Sequence, residues 1–282
     1  MTDIRKDLTN LILHGAGLLA CLVLILFAFS FGRGSTVHTE LTANFNKAED
    51  AKVTIQEDDT WKSTKDYVYI KYKAAKNGFV KLKFKDLDAN SPAYGYVAIC
   101  DKAKNILSAQ DYYKPSSKNK DYTKLYYGVK KNTTYYFRVK ATHAVSIKLT
   151  AYSVSDKSGV SPKKATQMKA KTYYKGLIPA GNSDADYFKI VLTKATKIRF
   201  YYTAYTNRTL AIAIYATNAY MEPFYASYNA ASTEHSFVTN KLPAGTYYVA
   251  IVPDSVNMKG LYVGSTKDYS SGAYKIKYKK VS

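Results

Sequence analysis

The chain has 282 residues, which suggests one or two domains, and its 46% hydrophobic content is ordinary for a globular protein. Tyrosine is unusually frequent, with 29 residues against 11 phenylalanines. The net charge is +21, and residues 1–35, with three basic and two acidic side chains, leave +20 to the rest. That charge favours anionic partners, although lysines on strand faces also keep a β-rich protein soluble. No recognisable nucleic-acid-binding motif accompanies it, so we expect no nucleic acid partner.

An apolar segment occupies residues 11–31 and reads LILHGAGLLACLVLILFAFSF. As a helix it would span roughly 31 Å, which is about the thickness of one hydrocarbon core. Arg5 and Lys6 precede it, and positive charge in that place keeps the N-terminus in the cytoplasm and sends the following chain across the membrane. We therefore expect residues 36–282 to work outside the cytoplasm.

Three alternatives describe the fate of this segment. An uncleaved single-pass anchor is favoured, because the apolar run is longer than the roughly 7–15 residues of a signal-peptide core. Cleavage near Ser30 is the second, since Ala28 and Ser30 form a small-x-small site and would release a secreted protein. Lipidation of Cys21 is the third, because LLAC at 18–21 resembles a bacterial lipobox, although ten nearly apolar residues follow the cysteine.

Short runs of alternating apolar and polar residues follow, divided by Gly, Asn, Asp, Ser and Pro, which predicts strands rather than helices. In the first half, the predicted strands cover 67–74, 78–87, 94–101, 124–130, 134–141 and 145–154. In the second half, they cover 186–193, 197–205, 209–217, 236–242, 245–252 and 272–280. The fold class predicted from this pattern is all-β.

The second half repeats the first at a spacing of 112 to 120 residues. The closest matches are 66–67 with 186–187, 97–99 with 212–214, and 132–139 with 243–251. Repetition at this period indicates tandem domains rather than a solenoid. A unit of about 110 residues with at least six strands suits an antiparallel β-sandwich. We predict a tail and apolar segment at 1–35, sandwiches at 36–154 and 171–282, and a linker at 155–170.

The second half resembles the bacterial pre-peptidase C-terminal domain. The residues that carry the resemblance read KGLIPAGNSDADYFKIVL, LAIAIYATN, LPAGTYYVAIVP and SSGAYKIKY within 175–278. The first half matches more weakly, with Asn132 and Thr133 in place of the Ala-Gly turn. The resemblance implies two jelly-roll-like sandwiches, distantly like the collagen-binding domains of clostridial collagenases. Domains of this family are appended to secreted enzymes and surface proteins, and they mostly bind or stabilise rather than catalyse.

Catalysis is not expected from the sequence. The chain has four histidines but no H-E-x-x-H motif and no G-x-S-x-G elbow. Cys100 is the only cysteine beyond the apolar segment, so no intrachain disulfide is available to the exported part. Because Cys100 alternates within a predicted strand and lacks an evident histidine partner, we expect a buried, inert thiol. A cysteine-poor exported chain rich in lysine and tyrosine resembles Gram-positive bacterial surface proteins.

A calcium site is a minority hypothesis. Asp184 and Asp186 form an acidic pair in otherwise basic surroundings, and calcium prefers carboxylate and carbonyl oxygens in a loop. The alternative is that these aspartates terminate a turn and cap backbone groups. No other cofactor is expected.

Two tyrosine-rich segments, 108–124 and 218–232, are the predicted ligand-binding regions, because exposed rings stack on sugars and loops commonly carry recognition. The candidate ligand-binding residues are Tyr112, Tyr113, Tyr122, Tyr220, Tyr225 and Tyr228. The sequence thus predicts a non-catalytic surface or secreted protein that binds matrix, glycan or cell-wall polymer, and its positive charge favours an anionic ligand. A structural or accessory partner of a separate secreted enzyme is the first alternative, and an unrecognised hydrolase is the second.

Overall fold

The protein is described by a computed structural model covering 40–43, 51–55, 67–86, 94–108, 110–113, 123–142, 145–182, 184–208, 210–216, 219–220, 224–226, 233–253, 256–257, 262–263 and 270–281. Residues His38–Ser282 form one compact unit. A membrane-spanning helix is not found within the described ranges. The apolar segment 11–31 lies outside them.

The described chain is all-β, as predicted, and every predicted strand overlaps an observed one. The strands of the first half are β1 (Glu40–Ala43), β2 (Ala51–Ile55), β3 (Val68–Lys73), β4 (Gly78–Asp86), β5 (Gly95–Cys100), β6 (Asp111–Tyr113), β7 (Thr123–Val129), β8 (Thr134–Ala141) and β9 (Val145–Ser153). They form a five-stranded sheet, β1-β3-β8-β5-β6, and a four-stranded sheet, β2-β9-β4-β7.

A short 3₁₀ turn at Pro162–Lys164 precedes the strands of the second half. These are β10 (Thr166–Gln167), β11 (Tyr174–Ile178), β12 (Asp186–Leu192), β13 (Lys197–Thr206), β14 (Leu210–Ala216), β15 (Ala219–Tyr220), β16 (Phe224–Ala226), β17 (His235–Val238), β18 (Gly245–Pro253), β19 (Val256–Asn257), β20 (Tyr262–Val263) and β21 (Gly272–Val281). One sheet runs β10-β12-β18-β14-β15, with β16 also paired to β14, and the other runs β11-β21-β13-β17. Strands β19 and β20 pair with each other.

Each half buries its own apolar core, drawn from both of its sheets. In the first half, Ile70 and Phe137 of the five-stranded sheet pack in the same cluster as Leu82 of the four-stranded sheet. In the second half, Phe188 packs in one cluster with Ile276 of the opposite sheet. Alternation with period 2 produces this arrangement, because every second side chain of a strand faces the neighbouring sheet.

The strand order of the two halves is the same, sheet by sheet and position by position. Strands β1, β3, β8 and β5 correspond to β10, β12, β18 and β14, and β2, β9, β4 and β7 correspond to β11, β21, β13 and β17. The halves nevertheless belong to one compact unit. Their separation into two independent domains therefore stays a prediction.

Cross-strand register supports one predicted correspondence and corrects another. Val97 lies opposite Val139, and Ile212 lies opposite Ile251, which agrees with the match of 97–99 to 212–214. Each of these strands has a second neighbour in its sheet. There, Val139 of β8 lies opposite Val68 of β3, whereas Ile251 of β18 lies opposite Asp186 of β12. The position equivalent to Asp186 is therefore Val68, and the predicted match of 66–67 to 186–187 is wrong by two residues.

Two strand pairs depart from the predicted antiparallel arrangement. β1 pairs with β3 in parallel, and β10 pairs with β12 in parallel. In each half, the chain crosses to the other sheet for one strand and then returns beside the first. Two crossings reverse the chain twice, so the returning strand runs in its original direction.

The segment predicted as a linker, 155–170, is packed onto the second half. It contains β10 and forms an isolated bridge between Gly159 and Tyr187. Met168 is buried in the core of the second half, and Ala165 is also buried. Its Ser, Lys, Gly and Pro content is typical of a linker, but tertiary packing overrides that composition.

Aromatic rings join the two halves. Phe79 of β4 stacks on Tyr205 of β13, with ring centroids 5.1 Å apart and an interplanar angle of 9°. Tyr126, Leu177 and Ala273 belong to the same buried cluster. All of these residues lie on the outer faces of the two four-stranded sheets, so the junction covers one end of each face.

A polar network flanks these rings. The Asn207 side chain accepts a hydrogen bond from the Tyr126 backbone N–H at 2.6 Å and donates to the Asp111 carboxylate at 2.7 Å. The Gly128 carbonyl accepts from the Ala180 N–H at 2.9 Å. A Cβ at Gly128 would lie 2.0 Å from the Ile178 carbonyl oxygen, so only glycine permits this approach.

We predict that Asn207→Ala destabilises the junction. The change leaves the Tyr126 N–H without its side-chain acceptor and removes one of the hydrogen bonds to the buried Asp111 carboxylate, which keeps its bond from Tyr127; the expected cost is on the order of 1–3 kcal/mol. Urea unfolding of the variant and the parent protein measures this difference. The matched control is Asn182→Ala, since the Asn182 side chain is only partly buried and accepts a hydrogen bond from the Asp184 N–H at the surface. Equal, small effects of the two substitutions would contradict the role assigned to Asn207.

Candidate functional site: the tyrosine face of the five-stranded sheet

Strand β6 is held to the core through two of its three residues. The Asp111 carboxylate accepts a hydrogen bond from the Tyr127 hydroxyl at 2.8 Å. The ring of Tyr113 is fully buried and stacks on Phe84 with a centroid distance of 4.1 Å. Because Asp111 and Tyr113 both face inward, Tyr112 between them must face outward.

The Tyr113 hydroxyl also requires a glycine on the neighbouring strand. It donates a hydrogen bond to the Lys140 carbonyl at 2.9 Å. At Gly95, a Cβ would lie 2.7 Å from that hydroxyl and 1.8 Å from the Lys140 carbonyl oxygen. Gly95 thus allows β6, β5 and β8 to come together at this edge of the sheet.

Three exposed tyrosines meet on the outer face. Tyr112 lies directly opposite Tyr96 in the β5–β6 pair, and their ring centroids are 5.5 Å apart. The Tyr94 ring lies 6.3 Å from Tyr112. Tyr94, Tyr96 and Tyr112 are 38%, 39% and 49% exposed, respectively. We call these three residues the tyrosine cluster.

Basic side chains continue the face beyond the tyrosine cluster. Lys140 of β8 lies opposite Tyr96, and its ammonium lies 5.7 Å from the Tyr67 ring. The Arg138 guanidinium lies 4.2 Å from the same ring and donates to the Gln110 side chain at 3.1 Å. Within the described part of the chain, the buried Arg138 Nε has no hydrogen-bond partner. Positive charge therefore borders the exposed rings.

This arrangement fits recognition of a sugar polymer. Aromatic rings provide flat apolar area with a hydroxyl at the rim, and they bind ligands at a low cost in side-chain entropy. The adjacent guanidinium and ammonium groups can receive hydroxyl or anionic substituents. The rings lie on strands that the core holds in place, so little ordering is needed on binding.

The predicted ligand residues fall into three groups. Tyr112 lies in the cluster, whereas the buried Tyr113 anchors the strand and its ring is not at the surface. Tyr220 lies in β15 and Tyr225 in β16, and both strands pair with β14. That edge occupies the same place in its sheet as β6 does beside β5. The other two, Tyr122 and Tyr228, lie outside the described residues.

Sequence reasoning missed Tyr94 and Tyr96 as candidate ligand residues. Both lie at the start of a correctly predicted strand, whose apolar residues Val97 and Ile99 indicated only its buried face. The alternation of Tyr94 and Tyr96 with those buried positions was the available signal. Their proximity to Tyr112 depends on strand pairing, which no local pattern encodes.

The thiol of Cys100 is buried, as predicted. It belongs to an apolar cluster with Tyr69 and Tyr136 on the outer side of the five-stranded sheet. Burial raises the pKa of Cys100 to about 11, so the thiol is protonated at neutral pH. A protonated thiol without solvent access is a poor nucleophile.

Asp186 is buried rather than placed at a turn. Its carboxylate accepts a hydrogen bond from the Tyr274 hydroxyl at 2.6 Å, between the two sheets of the second half. Burial raises the pKa of Asp186 to about 7, although the Tyr274 hydrogen bond opposes this shift. The expectation that Asp186 caps backbone groups stays a prediction, whereas its contact with Tyr274 was not predicted. Phe188, two residues later, is fully buried in the core.

The calcium hypothesis gains no support from geometry. Asp184 is exposed, and its backbone N–H donates to the Asn182 side chain at 3.1 Å. Among the residues that the structure describes, no three acidic, histidine or cysteine side chains are close enough to hold a metal ion. Calcium binding at Asp184 and Asp186 stays a hypothesis.

Comparison with known proteins gives only distant similarities of fold. No family model matches the sequence, and no curated protein matches it. The pre-peptidase C-terminal domain of collagenase from Bacillus anthracis aligns with a TM-score of 0.30 and 15% identity, over 42% of this chain and 98% of that one. The N-terminal tandem CBM22 domain pair from a Paenibacillus barcinonensis protein has a TM-score of 0.24 and 11% identity, over 83% and 92% of the respective chains. The CUB1-EGF-CUB2 domains of rat MASP-1 have a TM-score of 0.23 and 8% identity, over 85% and 99%.

We predict that Asp186 makes the fold less stable as the pH rises. A carboxyl group with a raised folded-state pKa binds its proton more tightly in the folded than in the unfolded chain. Its stabilisation is complete below pH ~4, the unfolded pKa, and disappears as the pH rises to about 7, a change on the order of 4 kcal/mol. Asp186→Asn keeps an acceptor for Tyr274 and carries no charge. Thermal unfolding from pH 4 to pH 8 should show a flatter profile for the variant and a higher melting temperature at pH 8.

Asp184→Asn is the matched control for this experiment. Its carboxylate is exposed, so its removal should alter the pH profile much less than Asp186→Asn does. Identical profiles for the parent protein and Asp186→Asn would contradict the raised pKa. The same instrument tests calcium: a melting temperature that is equal in millimolar calcium and in chelator would remove the metal hypothesis.

Proposed function

We propose that the chain is a non-catalytic binding protein that works outside the cytoplasm and attaches to a glycan of a cell wall or extracellular matrix. The tyrosine cluster on the five-stranded sheet is the proposed site. The location of the protein outside the cytoplasm is inferred from the apolar segment 11–31 and the positive charge that precedes it.

The observation that carries the proposal is the exposure of three adjacent rings on one rigid surface. Isolated exposed aromatics are normal on a protein surface, but Tyr94, Tyr96 and Tyr112 lie within contact of one another. Inward anchoring of β6 by its neighbours holds Tyr112 in this exposed position. A surface that is costly to expose and held in place is typical of a binding site.

The absence of catalysis is part of the proposal. The Cys100 thiol is buried and protonated at neutral pH, as its raised pKa indicates. The His235 ring stacks on Tyr202 at a centroid distance of 5.7 Å, on the core side of β17. The Cys100 thiol is fully buried and the His235 Nε2 atom is buried as well, and the tyrosine cluster supplies rings and cations rather than a nucleophile with its base.

A binding screen tests this function. The full-length protein is presented with glycans and matrix proteins at low and high salt. We expect at least one neutral glycan to bind with similar affinity at both salt concentrations, because stacking on tyrosine is not screened by ions. Loss of all binding at high salt would mean that net charge alone causes attachment.

Substitutions then locate the site. We expect Tyr112→Ala and Tyr96→Ala each to weaken binding of that glycan by roughly tenfold, since an aromatic contact contributes about 0.5–1.5 kcal/mol beyond the area it buries and about 1.4 kcal/mol is tenfold in affinity. Tyr112→Phe should retain most of the affinity, because the ring remains. Titration calorimetry provides the dissociation constants.

Val191→Ala is the control, because Val191 is 43% exposed on β12 in the other half of the chain. Unchanged glycan binding in Tyr112→Ala and Tyr96→Ala would reject the tyrosine cluster as the site. A screen without any glycan ligand, combined with recovery of a secreted enzyme from culture medium on the immobilised protein, would favour the accessory-partner alternative instead.

A further inference from the structure

We propose that a second surface, the outer face of the four-stranded sheet β11-β21-β13-β17, binds an acidic polysaccharide. This lysine face consists of Lys175, Lys275, Lys277, Lys279 and Arg199, with two tyrosine rings between them. It is separate from the tyrosine cluster, which lies on a sheet of the other half. The choice of a polysaccharide among polyanions rests on the proposed function in glycan attachment.

Strand alternation and register create the lysine face. On β21, the buried residues Tyr274, Ile276 and Tyr278 point into the core, so Lys275, Lys277 and Lys279 point outward. Successive lysines on this strand are therefore about 6.8 Å apart, which is two strand residues. The result is a straight row of positive charges along the strand.

Neighbouring strands widen this row. Arg199 of β13 lies directly opposite Lys279, and Lys175 of β11 lies directly opposite Lys275. Directly opposed like charges destabilise a sheet. The fold therefore retains a charge arrangement that works against its own stability.

Solubility and edge protection do not account for this arrangement. Lysines that prevent sheet-to-sheet aggregation belong on edge strands, whereas β21 and β13 are the two central strands of the sheet. A surface that serves only solubility mixes both signs of charge. Within the described residues, Lys277 alone among the five cations forms an ion pair, with Glu234 at 3.8 Å.

Two tyrosine rings hold the lysines in place. The Lys277 ammonium lies 4.1 Å from the Tyr173 ring and 4.7 Å from the Tyr201 ring. Lys275 lies 4.8 Å from Tyr173, and Lys279 lies 5.5 Å from Tyr201. Cation–π contacts offset part of the mutual repulsion and restrict the side chains before any ligand arrives.

The positive charges of the lysine face also act on the Tyr201 hydroxyl. A hydrogen bond from Lys279 lowers the pKa of Tyr201, and the charges of Lys279, Arg199 and Lys277 lower it further. The Nε of Arg199 is buried and has no hydrogen-bond partner among the residues that the structure describes. An anionic group above these residues would supply the missing negative charge.

An extended acidic chain matches this geometry. The row on β21 follows one strand and its charges repeat at a regular interval, which suits an extended ligand with repeating charges. Lysine is a flexible point charge that accepts sulfate, carboxylate or phosphate without strict geometry. The outer face of the equivalent sheet in the first half also carries directly opposed lysines, with Lys83 facing both Lys148 and Lys124.

Charge-neutral substitution tests the lysine face. The face variant combines Lys275→Gln, Lys277→Gln and Lys279→Gln in the full-length protein. The probes are a heparin oligosaccharide, polygalacturonate, neutral dextran and single-stranded DNA. We expect the face variant to bind heparin or polygalacturonate about tenfold more weakly than the parent protein, since exposed charge pairs contribute modestly each.

The matched control is Lys76→Gln, Lys131→Gln and Lys163→Gln, which removes the same charge from three exposed lysines away from the face. Its affinity for the acidic glycans should stay within about twofold of the parent protein. Equal weakening in both variants would mean that only net charge acts and would overturn the proposal. Tighter binding of DNA than of either acidic glycan, with the same dependence on the face, would overturn the choice of ligand.

Two further measurements keep the result interpretable. Thermal unfolding shows whether each variant is folded; if the triple variant is not, the double variant Lys279→Gln with Arg199→Gln replaces it, with an expected loss of about threefold. Tyr112→Ala is tested in parallel against the neutral glycan from the binding screen and the acidic glycans. If only the face variant loses binding of the acidic glycans, this inference is supported even when Tyr112→Ala leaves neutral-glycan binding unchanged. If the face variant keeps its acidic-glycan binding while Tyr112→Ala loses neutral-glycan binding, this inference is rejected and the proposed function stands.

Discussion

The packing of two sheets against each other is the constraint on which the rest of this structure depends. Each strand must place every second side chain into the space between the sheets, and that burial decides what the remaining side chains can do. On β6, the inward positions of Asp111 and Tyr113 leave Tyr112 exposed. On β21, burial of Tyr274 and Ile276 leaves the lysines outside. Burial of one set of side chains in the core thus determines which residues remain exposed on the surfaces proposed for binding.

The junction between the halves divides the outer faces into covered and open parts. Phe79 and Tyr205 stack where the two four-stranded sheets meet, and the lysine-bearing parts of β4 and β21 lead away from that contact. The five-stranded sheet takes no part in this stacking. As a result, the two proposed sites differ in chemistry: Tyr112 is a freely exposed ring, whereas Tyr201 lies beneath Lys277.

Two buried carboxyl groups make the stability of the fold depend on pH. Asp111 and Asp186 each accept a hydrogen bond from a buried tyrosine hydroxyl, and burial raises the pKa of both. Asp111 also contacts Arg208 at 3.7 Å across the junction, so its charge has a partner that Asp186 lacks. Since the position equivalent to Asp186 in the first half is Val68, the second half carries a polar group where its counterpart is apolar. Both carboxyls therefore contribute to how the stability of the fold depends on pH.

The amino-acid sequence by itself determined the strands, because alternation with period 2 is a local property that the residues around Val97 and Ile99 display directly. It also determined that Cys100 is buried. Only the tertiary structure decided that Asp186 lies in a core position, that Tyr94 and Tyr96 meet Tyr112, and that five cations share one face. The physical reason is that strand register joins residues far apart in the chain, and register depends on the packing of the whole sandwich rather than on any segment.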